Sequence, residues 1–234
     1  MIRGILFDKD GTLLDFHATW VPAYRVAAEA VSRGAGRPEL RDRLLEAGGF
    51  DHASGRCDPG SPLGSGGNTD IAGLWAGECG LTDIARVTGQ IEEIFAREVV
   101  ASAVAVGDLS PLLARLRLRG LHLGVATMDS ESLAHDTLAR IEIDGHLSFV
   151  CGYDSGHGKK PGPGMVDAFC DALSVRAEEV LVVGDTLHDM HMGRAAGAGM
   201  VVGVLTGAGT REILEPHCDH VLEDVFELES VIPP

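Results

Sequence analysis

The sequence contains very little lysine and no long apolar run. Lysine occurs three times in 234 residues, at positions 9, 159 and 160, whereas arginine occurs sixteen times. Lysine supplies a compact and movable point charge, so its scarcity predicts that these three lysines stand where such a charge is needed. No apolar stretch approaches the roughly 18 residues of a transmembrane helix, and no secretory signal is visible. We therefore expect a cytoplasmic protein.

Basic residues are also outnumbered, since 19 lysines and arginines stand against 35 aspartates and glutamates, and the formal net charge is -16. Such an acidic surface repels nucleic acid and anionic lipid, so neither is expected as a partner. A small phosphorylated substrate would need a strong local cation in its binding site. The five cysteines form no CxxC pair, which predicts reduced structural thiols. Composition leaves a monomer and a homodimer equally open.

Short apolar runs alternate with helical patterns along most of the chain. The strand-like runs are 2–7, 121–127, 147–151, 180–183 and 200–205, and the helical patterns between them are 130–141, 164–173 and 188–196. This alternation predicts an α/β fold with a doubly wound parallel sheet. Ligands bind beyond the carboxyl ends of the strands in such sheets. Asp8, Thr127 and Asp185 each follow a predicted strand, so the fold can bring them together.

Residues 15–105 differ from the rest, because they show helical patterns and no clear strand. The patterns are 18–32, 38–47, 69–78 and 82–103, with a glycine-rich stretch at 48–67. We expect an inserted helical domain at 15–105 and a core domain formed by 1–14 and 106–234. The glycine-rich stretch is either a mobile, substrate-facing loop or a plain connection.

The sharpest motif is Asp-Lys-Asp-Gly-Thr at residues 8–12, directly after an apolar strand. Asp8 can attack phosphorus as a carboxylate nucleophile and form an aspartyl-phosphate. Asp10 can protonate the leaving oxygen and later deprotonate the attacking water. A calcium loop fails on spacing: alignment on the glycine puts Leu6 at the first ligand position and His17 where glutamate is required.

Two further carboxylates, Asp185 and Asp189, follow the apolar run 180–183. They would share one face of a helical turn that begins there. A cluster of carboxylates suits Mg²⁺, which prefers a few carboxylates together with water and phosphate oxygens. Acidic residues at strand-to-helix turns are also ordinary N-caps, so this segment alone leaves both interpretations open.

Two weaker elements could contact a phosphoryl group. A lysine of the loop 158–163 could neutralise Asp8 and bind the phosphoryl oxygens, although a lysine pair in a loop is usually solvated surface. The hydroxyl of Thr127 and the backbone N–H groups after it could hold phosphate oxygens at a helix start. A threonine at that place is also a common N-cap.

The four elements, in this order, resemble the motifs of the haloacid dehalogenase superfamily, phosphoglycolate-phosphatase-like branch. The matching segments are Asp8-Lys-Asp10-Gly-Thr12, Thr127, Lys160-Pro161 and Gly184-Asp185 with Asp189. The resemblance spans essentially the whole chain and implies a Rossmann-like core with an inserted all-helical cap domain. It favours Lys160 over Lys159, because Lys160 begins the Lys-Pro-x-Pro form of that branch. Met128 departs from the asparagine that often follows the threonine, although its backbone N–H can still bind phosphate.

The resemblance implies a Mg²⁺-dependent phosphatase that acts on a small phosphorylated metabolite such as phosphoglycolate. The implied metal ligands are Asp8, Asp10, Asp185 and Asp189. Asp10 argues against a dehalogenase, which lacks this second aspartate, and the lack of lysine in 15–105 argues against a phosphonatase, which needs a cap lysine.

A phosphomutase of the β-phosphoglucomutase type uses the same aspartate pair and stays open. A non-catalytic, metal-binding regulatory protein is the alternative from a different class. Arg56 and Asn68, both beside glycines, are predicted cap contacts to the substrate, against the alternative of ordinary surface positions.

Overall fold

The computed structural model describes residues 1–233, and its strands alternate with helices from residue 122 onward. The strands are β1 (Gly4–Phe7), β2 (Phe50–Asp51), β3 (Arg56–Cys57), β4 (His122–Ala126), β5 (Phe149–Cys151), β6 (Val180–Gly184), β7 (Met200–Val204) and β8 (His220–Leu222). The helices are α1 (Phe16–Gly34), α2 (Arg41–Ala47), α3 (Pro62–Ser65), α4 (Asn68–Cys79), α5 (Ile84–Ser102), α6 (Leu109–Leu118), α7 (Glu131–Arg140), α8 (Gly164–Leu173), α9 (Leu187–Ala196) and α10 (Arg211–Leu214).

Six strands form one sheet in the order β5-β4-β1-β6-β7-β8, and every neighbouring pair is parallel. The predicted α/β fold with a doubly wound sheet is confirmed. All five predicted strands are present, with bounds that move inward by up to two residues or outward by one. β1 lies between β4 and β6, so the loops after these three strands leave the sheet side by side.

The sheet is buried on both faces, which explains why its strands are nearly continuous apolar runs. Side chains alternate along a strand, so successive residues of β1 enter different cores. Ile5 and Phe7 pack into one apolar cluster with α6, whereas Leu6 packs into another with α8. Two layers of helices therefore hold the strand that leads to Asp8.

Residues 17–103 form a second compact unit, and the first consists of 1–16 with 104–234. The predicted boundaries differ from these by two residues. The second unit is not all-helical, because β2 and β3 pair as an antiparallel hairpin within the glycine-rich stretch. That stretch is ordered by contacts inside the unit: the Tyr24 hydroxyl donates to the Leu63 carbonyl at 2.9 Å, and Asp58 N–H donates to the Gly49 carbonyl at 2.9 Å. The two strands have two residues each, too few to show an alternating pattern.

Three elements of the core domain were not predicted, helices α6 and α10 and strand β8. α6 has Pro111 in its first turn, where the missing N–H of proline is tolerated although the residue reads as a helix breaker in sequence. β8 is a three-residue edge strand that is only partly buried. Among residues 1–233, no helix has the length and apolar character needed to cross a membrane. All five cysteines have free thiols.

The ring of Phe169 in α8 lies against two glycines of the sheet. A Cβ added at Gly4 or at Gly124 would stand 2.7 Å from the ring, so only glycine admits the aromatic side chain so close to β1 and β4. The ring is fully buried.

We expect Phe169→Ala to lower the free energy of unfolding by about 3–5 kcal/mol, because it leaves a cavity that the sheet cannot fill. Urea titration followed by circular dichroism measures the loss. Leu118→Ala is the control, since Leu118 is 87% exposed and should change stability by less than about 0.5 kcal/mol. A similar, small effect of both variants would contradict this account of the packing.

Candidate active site

Three buried carboxylates meet at the carboxyl edge of the sheet. Phe7 of β1 is paired with Val183 of β6, so Asp8 and Asp185 emerge next to each other. Asp189 is in the first turn of the following helix α9. One ligand oxygen of each of the three aspartates lies within 4.8 Å of the other two. The predicted convergence of these side chains is present in the structure.

A buried lysine lies among these carboxylates. The Nζ of Lys160 is 2.5 Å from Asp8 Oδ1 and 2.6 Å from Asp189 Oδ1. Lys159 is exposed instead, with its Nζ 4.9 Å from the centre of the Tyr153 ring. Lys160 is thus the lysine that the structure brings to Asp8.

Asp189 serves as a helix cap and also belongs to the acidic cluster. Its Oδ2 accepts hydrogen bonds from Thr186 N–H at 3.1 Å and from the Thr186 hydroxyl at 2.7 Å, which forms a capping box at the start of α9. Its Oδ1 contacts Lys160. The two alternatives that the sequence left open for Asp189, a cap and a site residue, are therefore compatible in one side chain.

A loop that was not predicted holds Asp185 in place. Asp185 Oδ2 accepts a hydrogen bond from Ala208 N–H at 2.7 Å. The loop approaches so closely that a Cβ on Gly207 would overlap the Asp185 carboxylate. Gly11, with φ 81°, also packs against this carboxylate: a Cβ added there would stand 2.5 Å from Asp185 Oδ2 and 2.8 Å from the Cα of Gly207. Glycine is required at Gly11 for this backbone angle as well.

Asp10 lies outside the three-carboxylate cluster identified within residues 1–233. Its Oδ2 is 2.7 Å from the Nζ of Lys9, whose side chain has no exposed surface. The same Nζ lies 2.8 Å from Asp129 Oδ2. Asp129 was not assigned a role from the sequence. A signal was present, because Asp129 lies in the Thr127 motif and Lys9 is one of only three lysines. The metal role predicted for Asp10 stays a prediction.

Thr127 is buried directly after β4 and is not the N-cap of the next helix. The N-cap of α7 is Ser130, whose side chain accepts a hydrogen bond from Leu133 N–H. The hydroxyl oxygen of Thr127 accepts a hydrogen bond from Asp129 N–H at 3.1 Å. Met128 is 40% exposed. Phosphate binding by Thr127 and Met128 stays a prediction.

Burial raises the pKa of two carboxyl groups of the cluster, those of Asp8 and Asp185. It raises the pKa of Asp8 to about 7, with Lys160 opposing and Asp189 adding to the shift. The pKa of Asp185 lies well above its ordinary value because of burial and the neighbouring Asp8 and Asp189. Burial disfavours the charge on Lys160, but Asp189 and Asp8 outweigh it and raise the pKa of its ammonium group.

The donor set fits a divalent cation. Three carboxylates and one ammonium leave an excess of negative charge in a site that water barely reaches. A hard cation with a preference for carboxylate oxygens, such as Mg²⁺, satisfies this charge and these ligands. Asp8, Asp185 and Asp189 are the residues that could hold it.

The predicted cap contacts lie in the second unit, residues 17–103. Arg56 is exposed on β3 of the hairpin, and Asn68 is the half-buried first residue of α4. Their role in contacting a substrate stays a prediction.

A comparison with protein families matches residues 2–197 to the haloacid dehalogenase-like hydrolases. The chain belongs to this family. The family match covers the aspartate motif, Lys160 and the Asp185–Asp189 pair, and so includes the complete acidic cluster described above.

Similar proteins align with this hydrolase over nearly its whole length. A phosphoglycolate phosphatase of Nitrosospira multiformis is 24% identical over 99% of this chain and 96% of its own. A predicted phosphoglycolate phosphatase from Haemophilus somnus superposes with a TM-score of 0.75 at 17% identity, covering 98% of this chain and 97% of that one. A candidate β-phosphoglucomutase from Thermotoga maritima gives a TM-score of 0.71 at 19% identity over 99% and 100%. At 17% and 19% identity, these two structures show only that the fold is shared.

The raised pKa of Asp8 predicts a pH dependence of stability in the metal-free protein. Folding moves this pKa from 3.8 up to about 7, so the folded state binds the proton more tightly than the unfolded state does. The stabilising contribution is complete below the unfolded value and is lost as the pH rises through the folded value. In chelator, we expect the free energy of unfolding to fall between about pH 4 and about pH 8. Urea titration at several pH values measures this.

Mg²⁺ should offset that loss by binding the ionised carboxylates, so its thermal shift should be larger at about pH 8 than at about pH 5. Asp8→Asn removes the titrating group and one ligand, and should flatten the pH profile and reduce the Mg²⁺ shift. Equal Mg²⁺ shifts at both pH values, in the native protein and in the variant, would contradict the assignment of this cluster as the metal site.

Proposed function

We propose that this hydrolase removes phosphate from a small phosphorylated metabolite in a Mg²⁺-dependent reaction through an aspartyl-phosphate on Asp8. The observation that carries the proposal is the buried cluster of Asp8, Asp185 and Asp189 around Lys160. It combines a carboxylate nucleophile, a cation for the phosphoryl oxygens and a metal-ligand set at one edge of the sheet.

In the first step, an oxygen of Asp8 forms a bond to phosphorus while the bond from phosphorus to the ester oxygen breaks. Asp10 gives a proton to that ester oxygen, which leaves as an alcohol. Lys160, with Nζ 2.5 Å from Asp8 Oδ1, orients the attacking carboxylate and offsets negative charge on the transferring group.

In the second step, a water oxygen forms a bond to phosphorus and the bond to Asp8 breaks, which releases inorganic phosphate and restores the carboxylate. Asp10 takes the proton from this water, so its two proton transfers cancel over the cycle. Mg²⁺ held by Asp8, Asp185 and Asp189 would neutralise charge on the phosphoryl oxygens.

The family and its relatives support the reaction class and the substrate to different degrees. This chain is a hydrolase whose full-length relatives are phosphatases, which makes it a phosphoric monoester hydrolase. Phosphoglycolate is the substrate we propose, because it is named for relatives that align with 99% of the chain.

The phosphomutase alternative draws on the same aspartate pair and on the structural likeness to the Thermotoga maritima protein. A mutase returns its phosphoryl group to a sugar phosphate and needs a sugar bisphosphate to start. The regulatory alternative requires a defective site, whereas Asp8, Asp10 and Lys160 are all in place.

The division of labour between Asp8 and Asp10 provides the test of mechanism. We expect Asp8→Asn to abolish turnover, because an amide is a very poor nucleophile. Asp10→Asn should slow both steps, by about 10²- to 10⁴-fold where proton transfer is needed. With an activated aryl phosphate, which needs little protonation, hydrolysis should be slowed more than transfer. The aspartyl-phosphate should then accumulate, and intact-mass measurement after rapid mixing should detect one added phosphoryl group.

The control is the variant that carries both Asp8→Asn and Asp10→Asn, which should form no adduct. An adduct that survives in this double variant would place the nucleophile elsewhere in the chain. Full turnover in excess chelator would separately contradict the proposed dependence on Mg²⁺.

Substrate choice is tested by a panel of phosphorylated metabolites, with an aryl phosphate as the generic reference. We expect kcat/KM for phosphoglycolate to exceed that for sugar phosphates by about tenfold or more, since a site fitted to a small acid leaves sugar hydroxyls without partners. Phosphate release should need no sugar bisphosphate. Conversion of one sugar phosphate into its isomer, dependent on a bisphosphate, would favour the mutase instead.

A further inference from the structure

The side chain of Lys9 is a buried cation next to the proposed active site, although the mechanism above gives it no role. It stands between the nucleophile Asp8 and the acid-base residue Asp10 in sequence, and its exposed fraction is 0%. Taking an ammonium group out of water costs several kcal/mol unless close carboxylates compensate. A purely space-filling residue at this position would be apolar, so the charge itself requires an explanation.

Two carboxylates compensate the ammonium group of Lys9. Its Nζ is 2.7 Å from Asp10 Oδ2 and 2.8 Å from Asp129 Oδ2. The side chains of Asp10 and Asp129 retain exposed fractions of 16% and 13%, so this small ion cluster is open at the carboxylates and closed at the ammonium.

Asp129 is itself fixed by the loop that follows β4. Its backbone N–H donates to the Thr127 hydroxyl at 3.1 Å, and its carbonyl accepts from Tyr153 N–H at 2.9 Å. Asp129 therefore anchors Lys9 in the loop after β4, whereas Asp10 lies in the loop after β1. The ammonium group of Lys9 links these two loops.

From this geometry we infer that Lys9 is a positioning residue for Asp10. It holds a carboxylate oxygen of Asp10 toward Asp129, which limits the rotation of the carboxyl group that exchanges protons with the ester oxygen and the attacking water. The inference rests on the proposed function, since Asp10 must transfer protons for its orientation to matter. Lys9 contacts no reacting atom in this scheme and acts only through Asp10.

The loss of activity on removing Lys9 should depend on the leaving group of the substrate if Lys9 positions Asp10. It should not depend on the leaving group if Lys9 only forms a structural ion pair. Departure of an alcohol from an alkyl phosphate needs the proton of Asp10, whereas dinitrophenolate leaves without one. Disordering Asp10 therefore slows transfer from an alkyl phosphate selectively. General damage to the fold slows both substrates by the same factor.

The experiment compares kcat/KM for phosphoglycolate and for 2,4-dinitrophenyl phosphate in the native chain and in Lys9→Met. This ratio reports transfer to Asp8, the first irreversible step, and does not depend on later hydrolysis. We expect a loss of about 10²-fold or more for phosphoglycolate and a loss of less than about fivefold for the activated ester. Lys159→Met removes an exposed lysine and should change neither value.

Lys9→Met leaves two carboxylates facing each other and could impair folding. A second variant, Lys9→Met with Asp129→Leu, removes the cation together with its anchor and leaves a neutral, apolar pair. Its midpoint of thermal unfolding should match or exceed that of Lys9→Met, while the selective loss with phosphoglycolate persists. Recovery of full activity together with stability would overturn the inference, as would equal losses on both substrates.

The outcomes also separate this inference from the proposed function. If the native chain releases phosphate from neither ester and forms no adduct on Asp8, the proposed function fails. If the native chain is active and Lys9→Met loses the same factor on both esters, only the role of Lys9 fails.

Discussion

The contact between the Lys160 ammonium and the carboxylates around it is the interaction on which the site depends. Three aspartates with little access to water repel one another, and burial alone would keep Asp8 and Asp185 protonated. Lys160 contacts Asp8 and Asp189, and its charge opposes the rise in the pKa of Asp8. One ammonium cannot balance three carboxylates, and the remaining charge is what makes a divalent cation a suitable ligand. The ammonium group of Lys160 is also the local positive charge that a phosphorylated substrate needs on a chain with net charge -16.

The parallel sheet and a few close approaches of the backbone create this concentration of charge. β1 is central between β4 and β6, so the loops that carry Asp8, Thr127 and Asp185 begin at the same edge. Glycines at 11 and 207 let two loops close on the Asp185 carboxylate, where any side chain would displace it. The loops are short and ordered by strand ends, which keeps ionised groups in fixed positions without water to stabilise them.

The sequence predicts the parts of this arrangement that depend on local order. A strand run followed by an aspartate marks the sheet edge, and the resemblance to the family's Lys-Pro-x-Pro form distinguishes Lys160 from Lys159. Contacts between distant segments are different: Ala208 donates to Asp185 from 23 residues away, and no periodicity marks it. The hairpin of β2 and β3 is also missed, because two-residue strands carry no alternation. Asp129 is missed because its partner, Lys9, is 120 residues away in sequence and joins it only through the pairing of β1 with β4.

Each of the two aspartates of the first motif contacts a buried lysine of its own. Asp8 contacts Lys160, and Asp10 contacts Lys9, although the aspartates are only two residues apart. The two aspartates still interact, because the charge of Asp10 helps to raise the pKa of Asp8. Each lysine fits its single Nζ between two carboxylates, a geometry that suits a compact ammonium better than a broad, planar guanidinium. The arginines that form ion pairs lie near the surface instead, with side chains 42% to 70% exposed. In this chain, lysines therefore carry positive charge inside the fold, and arginines carry it at the surface.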